Sequence, residues 1–403
     1  MTVRIGRRGR AIGGGVAALV AAVALAGSAG VPASAGGQPG RYDDAALRKD
    51  LRTVAAAADG VNLVARVQTE HGTIQARSGT AGPGTRTPVP WDARFRIAST
   101  SKTFTATVAL QLVAEGRLSL DDTVEHWLPG VVKGNGNDGA RITVRDLLRQ
   151  TSGLFDYVND PQVQATLFGD FEKIRNDATP GRDWVAIAMR HAPNFTPDRA
   201  NPRWAYSNTN YLLAGMIIER AGGLPWREQV EHRIIVPLGL RDTSVPGANP
   251  FLTGPHNRVR LALPGGPVDT TDTSIEHDAD SGVVSTTADL NTFFAALMGG
   301  RLLPPAQLAE MRRTVDRATA PAEDLAEWPQ GGYGLGLRYV PLGCGGGYWH
   351  HEGDGLGSYT RTAATADGKR TVAISITATG TAPDLPRLNT ATRALVEHAL
   401  CAR

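Results

Sequence analysis

The chain has 403 residues, 41% hydrophobic and 20% charged, with 47 glycines and 25 prolines. Glycine plus proline stay well below the roughly 25–30% that marks low-complexity chains, which excludes a collagen-like or wholly disordered protein. The formal net charge of +3 is local, because Arg4, Arg7, Arg8 and Arg10 stand in an acid-free N-terminal stretch and the remainder is close to neutral. A body so balanced lacks the electrostatic footprint of a nucleic-acid binder.

Arg4 to Arg10 form a basic head, followed by an apolar run from Ala11 to Gly27 and a small-residue stretch ending in Ala33-Ser34-Ala35. This order predicts a secretory signal peptide over residues 1–35, cleaved after Ala35, and hence a secreted, extracellular protein. A signal anchor is the alternative, since a run of roughly 17 residues is at the lower edge for spanning. Arg7-Arg8 leaves twin-arginine export open beside the general route. No later apolar run is long enough to span, so no stable membrane span is expected after cleavage. Cys344 and Cys401 are the only cysteines. An even pair in an exported chain is a disulfide candidate, with two unpaired small hydrophobes as the alternative.

Asp43 to Ala58 reads as a helix, with Leu47, Leu51 and Val54 on one face. Val61, Leu63, Ala65 and Val67 alternate as a strand, and Ile74 to Ser78 returns as its hairpin partner. From Ser99 to Glu115 a helix is apolar over most of its circumference and therefore buried. Val144–Arg149, Trp184–His191, Tyr211–Ala221 and Trp226–Ile235 read as further helices, and Gly130 to Gly139 as an exposed loop. Thr287–Met298 and Pro305–Thr314 are helical again. Strands return at Tyr333–Val340, Tyr348–Glu352, Ser358–Thr365 and Thr371–Thr377, before a closing helix marked by Leu388, Ala391, Leu395 and Ala399. Strands at both ends and helices between them predict an α/β sheet domain built from 42–105 and 260–403, carrying a mostly helical domain at 106–259.

Dinucleotide and phosphate-binding glycine loops are missing, as is the G-x-S-x-G elbow, and His350-His351-Glu352 lacks the second ligand of a zinc helix. No metal or organic cofactor is expected. The chemistry concentrates instead at Ser99-Thr100-Ser101-Lys102, which opens the buried helix. Residues three apart share a helical face, so Lys102 can activate Ser99. Burial and the helix N-terminus would both press the lysine pKa down. Alone, the pattern more often describes a surface lysine beside a capping serine. Tyr206-Ser207-Asn208 enters the next strongly periodic helix, and His351-Glu352-Gly353 sits among glycines late in the chain.

In this order the S-x-x-K, Y-x-N and H-x-G elements resemble those of the penicillin-recognising serine hydrolases, in the branch of class C β-lactamases and secreted Streptomyces-type D-alanyl-D-alanine carboxypeptidases. Phe95-Arg96-Ile97-Ala98, Leu147-Leu148-Arg149-Gln150-Thr151-Ser152-Gly153-Leu154, the Gly282–Leu290 segment and Tyr333-Gly334-Leu335-Gly336-Leu337 extend the resemblance along essentially the whole mature chain. The resemblance implies a β-lactamase/transpeptidase-like α+β fold, with an antiparallel sheet flanked by helices and an inserted helical domain. It implies that Ser99 is acylated and that Lys102 and Tyr206 share the proton transfers. Asn208 would hold Lys102 and the substrate amide, and His351 would take the place of the third element's lysine. The backbone N–H groups of Ser99 and Asp354 would form the oxyanion hole. Gly353 would line the substrate strand, where a ligand's close approach leaves no room for a side chain.

Two features bear on substrate. Arg338 matches an arginine that such enzymes offer to a peptide's terminal carboxylate, whereas Glu352 and Asp354 replace the threonine-rich text usual after the histidine. Asp354 would oppose that carboxylate, and a pairing of Asp354 with Arg338 would cancel part of the arginine's attraction. The expected activity is that of an exported D-alanyl-D-alanine carboxypeptidase, taking D-Ala-D-Ala-containing peptides or β-lactams, with no obligate protein partner. A class C-like β-lactamase, a broad-specificity esterase or D-amino-acid amidase, and a non-catalytic penicillin-binding module are the alternatives.

Overall fold

In the computed structural model the described residues are 42–402, apart from 59, 83, 170, 317–319, 321, 323–324 and 326–329. The expected signal peptide lies outside them. Alternation of apolar residues drives the central sheet. Val61–Thr69 (β1) and Gly72–Ser78 (β2) form the expected hairpin. Late in the chain come Gly332–Tyr333 (β3), Arg338–Pro341 (β4), Gly347–His350 (β5), Gly353–Asp354 (β6), Ser358–Thr365 (β7) and Thr371–Ala378 (β8). The order is β2-β1-β8-β7-β5-β4-β3, with β6 also paired to β7, and the pairings are antiparallel. The β1–β8 ladder, from Val61 opposite Ala378 to Gln68 opposite Thr371, joins the two ends of the chain.

Helices cover both faces. Asp44–Ala57 (α1) and the C-terminal helix Leu385–Cys401 pack on one, where Leu47, Leu51 and Val54 meet Leu388, Leu395, Ile374 and Ile376 in one apolar cluster. Each is started by an aspartate, Asp43 and Asp384, whose carboxylate accepts from first-turn N–H groups. On the other face a larger cluster runs from Ala364 and Ala373 of the sheet through Thr287–Met298 into Ser101–Ala114 (α2), Val144–Arg149 (α3) and Asn208–Gly222 (α4). This is the antiparallel sheet flanked by helices, with an inserted helical section, that the sequence predicts. Helix α2 lies at the centre of that section and is buried from Ser101 to Leu110. Its apolar circumference therefore has partners on every side.

Three local expectations need correction. Tyr333–Val340 is not one strand, because a turn at Gly334–Leu337 separates β3 from β4. Gly336 has φ +69° there, and a Cβ on it would stand 2.6 Å from the Ala106 methyl and 3.0 Å from the Lys102 carbonyl oxygen. The turn is thus wedged against α2, and Thr103 donates to the Gly336 carbonyl at 2.8 Å. Tyr348–Glu352 ends as strand at His350, and β6 begins only at Gly353. The Gly130–Gly139 stretch contains a short hairpin, Lys133–Gly134 against Asn137–Asp138, with Asn137 buried and bonded to the carbonyls of Gly134 and His191. Among the described residues no helix is long and apolar enough to cross a membrane. Cys344 and Cys401 are disulfide-bonded with α-carbons 5.8 Å apart, tying the last helix to the β4–β5 connection.

Candidate active site

Ser99 lies in a 3-10 turn, Ala98–Thr100, immediately before α2. Ala98 takes φ +45°, a left-handed conformation that costs a non-glycine residue roughly 1–3 kcal/mol and persists only where the surroundings enforce it. They do so from two sides. Ile97 N–H bonds the Val283 carbonyl at 3.0 Å, and Thr100 Oγ1 donates to the His351 carbonyl at 3.1 Å. The Ser99 turn is thereby stitched to the His351 segment.

Lys102 is one turn on and fully buried. Its Nζ donates to Ser99 Oγ at 2.9 Å, Asn208 Oδ1 at 2.7 Å and the Asp280 carbonyl at 2.9 Å, which uses the three donors of an ammonium. Burial presses its pKa down to about 8, against the pull of Asp280 and Asp156. Tyr206 is buried on another side, its ring centre 5.1 Å from Lys102 Nζ. Burial, reinforced by Tyr333, pushes the phenol well above its ordinary value, so it stays protonated. The Y-x-N segment is aligned by Gln150, which caps α3 in the left-handed region at φ +64°. Gln150 Oε1 accepts from Ser207 N–H at 3.0 Å and from Asn210 Nδ2 at 2.6 Å.

Asn208 donates from Nδ2 to Asp156 Oδ2 at 2.9 Å. Burial raises the Asp156 carboxyl to about 6, although hydrogen bonds from Val158 and Asn208 pull the other way. His351 is also fully buried. Its Nδ1 is 2.6 Å from the Glu352 carbonyl oxygen, which can only accept, so Nδ1 carries the proton and Nε2 accepts from Tyr333 at 3.0 Å. Burial lowers this imidazole to about 4, and it is neutral at pH 7. Its ring centre is 6.5 Å from that of Tyr206, so the two rings are neighbours.

Gly353 brings β6 against the nucleophile turn. A Cβ there would lie 2.0 Å from the Ile97 carbonyl oxygen and 3.1 Å from the Thr100 nitrogen. The crowding thus comes from the chain's own backbone, where the sequence suggested a ligand. It sets the backbones of Ser99 and Asp354 on facing segments.

The conditional pairing of Arg338 with Asp354 is not the one formed. Arg338 is 4% exposed and its Nε stands 2.7 Å from Glu352 Oε1. Asp354 Oδ1 is 2.6 Å from Arg361, whose guanidinium is also bonded to Asn389. The strand is interrupted between His350 and Gly353, so Glu352 and Asp354, which unbroken alternation would put on one face, meet different arginines. The sequence reading also left out Asp156, Asp280 and Tyr333. Tyr333 opens the Y-G-L-G-L text and Asp156 follows the T-S-G-L text, so both motifs held the signal without naming these side chains.

This fold and constellation are those of a family whose model, Beta-lactamase, matches residues 45–397; the chain belongs to it. Among solved structures it is similar to a D-stereospecific amidohydrolase from Streptomyces sp., 39% identical with a TM-score of 0.78, covering 90% of this chain and 99% of that one. It is also similar to D-amino acid amidase from Ochrobactrum anthropi SV3, 26% identical with a TM-score of 0.71, covering 88% of this chain and 96% of that one. Penicillin-binding protein 4* of Bacillus subtilis is 32% identical over 160 residues, 39% of this chain and 32% of that protein. The chain spans no more than half the length of the first curated relatives it matches.

Proposed function

We propose that the protein is an exported serine amidohydrolase that acylates Ser99 and hydrolyses amides of D-amino acids. The observation that carries the serine-hydrolase part is the placement of Lys102 Nζ 2.9 Å from Ser99 Oγ in a fully buried setting. A lysine at about 8 has a sizeable free-amine fraction near neutrality. That amine accepts the Ser99 proton as Oγ bonds to the substrate carbonyl carbon. Backbone N–H groups of Ser99 and Asp354 receive the developing oxyanion. Lys102, relayed by the protonated Tyr206, then returns the proton to the departing nitrogen as the C–N bond breaks. Water enters and the same groups run the reverse transfer to free the acid. Asn208 holds Lys102 throughout.

The amide reading is favoured over the carboxypeptidase by the likeness to the Streptomyces amidohydrolase, which extends over nearly all of that chain, whereas the penicillin-binding relative is matched over a minor part. The test is a panel of D-phenylalanine amide, its L-enantiomer, a D-Ala-D-Ala peptide and a p-nitrophenyl ester, with fluorophosphonate labelling mapped by peptide mass. The D-amide should exceed both the L-amide and the D-Ala-D-Ala peptide in kcat/KM by about ten-fold or more, and the label should sit on Ser99. Faster release of D-alanine than of ammonia would return the assignment to a carboxypeptidase, and a label on Ser152 or Ser207 would overturn the mechanism.

A further inference from the structure

A second charged group is buried against the same tyrosine. The side chains of Arg338 and Glu352 are 5% and 9% exposed. The guanidinium carbon lies 5.4 Å, 5.9 Å and 5.2 Å from the ring centres of Trp204, Tyr206 and Tyr333. The second Glu352 oxygen is 3.6 Å from His350 Nδ1, and burial keeps that imidazole neutral, at about 3. Arg338 lies directly across the ladder from Tyr333 on one side and from His350 on the other. Burial alone would push the Glu352 carboxyl upward, yet the Arg338 guanidinium beside it brings it down to about 2.

A guanidinium walled by aromatic rings and removed from water is a strong seat for a planar anion. Here the chain supplies that anion itself, from the residue between His351 and Gly353. A substrate ending in a free carboxylate could use Arg338 only by displacing Glu352, leaving a buried carboxylate without its counter-charge. We infer that Glu352 is a specificity-determining residue that closes Arg338 to substrate carboxylates and so reserves the site for neutral leaving groups, an inference resting on the amidohydrolase reading above. The pair also balances the field on Tyr206, since Arg338 favours and Glu352 opposes its ionisation.

Glu352→Ala opens a carboxylate-sized gap beside Arg338, whereas Glu352→Gln keeps the volume and removes the charge. Both full-length variants are assayed on D-phenylalanine amide and on the dipeptide D-phenylalanyl-D-alanine, with and without added formate. The dipeptide-to-amide ratio of kcat/KM should rise by about ten-fold or more in both variants. Formate should draw the ratio of Glu352→Ala back toward that of the wild type by refilling the gap, and leave Glu352→Gln unaffected. Unchanged ratios in variants that melt cooperatively would overturn the inference, as would a Glu352→Ala ratio indifferent to formate. If Glu352→Ala does not fold, the ratio of Glu352→Gln decides alone. The change from wild type to variant reads this inference. The wild type's own preference reads the function, so a wild type that favours the dipeptide sinks the amidohydrolase reading separately.

Discussion

Asn208 holds Lys102 with one end of its amide and Asp156 with the other, its Oδ1 2.7 Å from Nζ and its Nδ2 2.9 Å from the Asp156 carboxylate. An ionised carboxylate can only accept, so Asp156 fixes which end of the amide faces the lysine. Asp156→Asn removes that constraint and lets the amide turn an N–H toward Nζ. The variant should lose about ten-fold or more in kcat/KM on a D-amide, with Ser99 still open to a fluorophosphonate. Wild-type rates in Asp156→Asn would show that the amide is held by other means.

The titration of Lys102 sets the acid limb of the rate profile. Of the groups around Ser99, Lys102 titrates at about 8, below Tyr206, while the Asp156 carboxyl at about 6 adds an earlier step through Asn208. The free amine is the competent form, so kcat/KM should climb with pH and level off above about 8. Lys102→Met should lower it by about 10²–10⁴-fold. A profile flat from acid through neutral pH would remove Lys102 as the base.

Gly353 tests the join between β6 and the nucleophile turn. A methyl group there meets backbone at 2.0 Å, and backbone cannot rotate away as a side chain does. Gly353→Ala should therefore push β6 off Ile97, costing about 1–3 kcal/mol in stability. Activity should fall further than stability, because the displaced Asp354 N–H is one of the expected oxyanion donors. Thermal melting and ester kinetics measured on the same preparation check both halves, and an active, equally stable variant would show that the strand has room.

The Cys344–Cys401 bond closes a loop with a sequence separation of 57 and anchors the last turn of the C-terminal helix. Reduction, or replacement of both cysteines by serine, should cost about 2–5 kcal/mol and lower Tm. Activity at low temperature should persist, since the site's hydrogen bonds do not pass through the bridge. Equal denaturant midpoints before and after reduction would show that the bond adds nothing to stability.

Much of this was legible in the chain itself. The alternation of Val61, Leu63, Ala65 and Val67 and of Val372, Ile374 and Ile376 named two strands that pair with each other, because period-two burial is a local property. The three short motifs named Ser99, Lys102, Tyr206 and Asn208, and the fold brings Lys102 into hydrogen bonds with Ser99 and Asn208 and sets the Tyr206 ring beside it. Spacing within a helix turn fixes the Ser99–Lys102 contact almost regardless of context. The strand breaks at Gly334–Leu337 and after His350 were hidden, since each is caused by packing against α2 or the nucleophile turn rather than by local preference.

What the chain alone gave, then, is most of the elements and the candidate reacting side chains, both governed by periodicity and by chemistry at short range. The tertiary structure decided the partners of the charges. Sequence offered Arg338, Glu352 and Asp354 with a conditional Arg338–Asp354 pairing and did not single out Arg361. The break in the strand between His350 and Gly353 lets Glu352 meet Arg338 near Tyr206 while Asp354 meets Arg361. Electrostatic pairing depends on distance and burial, which arise only when residues far apart in sequence are brought onto neighbouring strands.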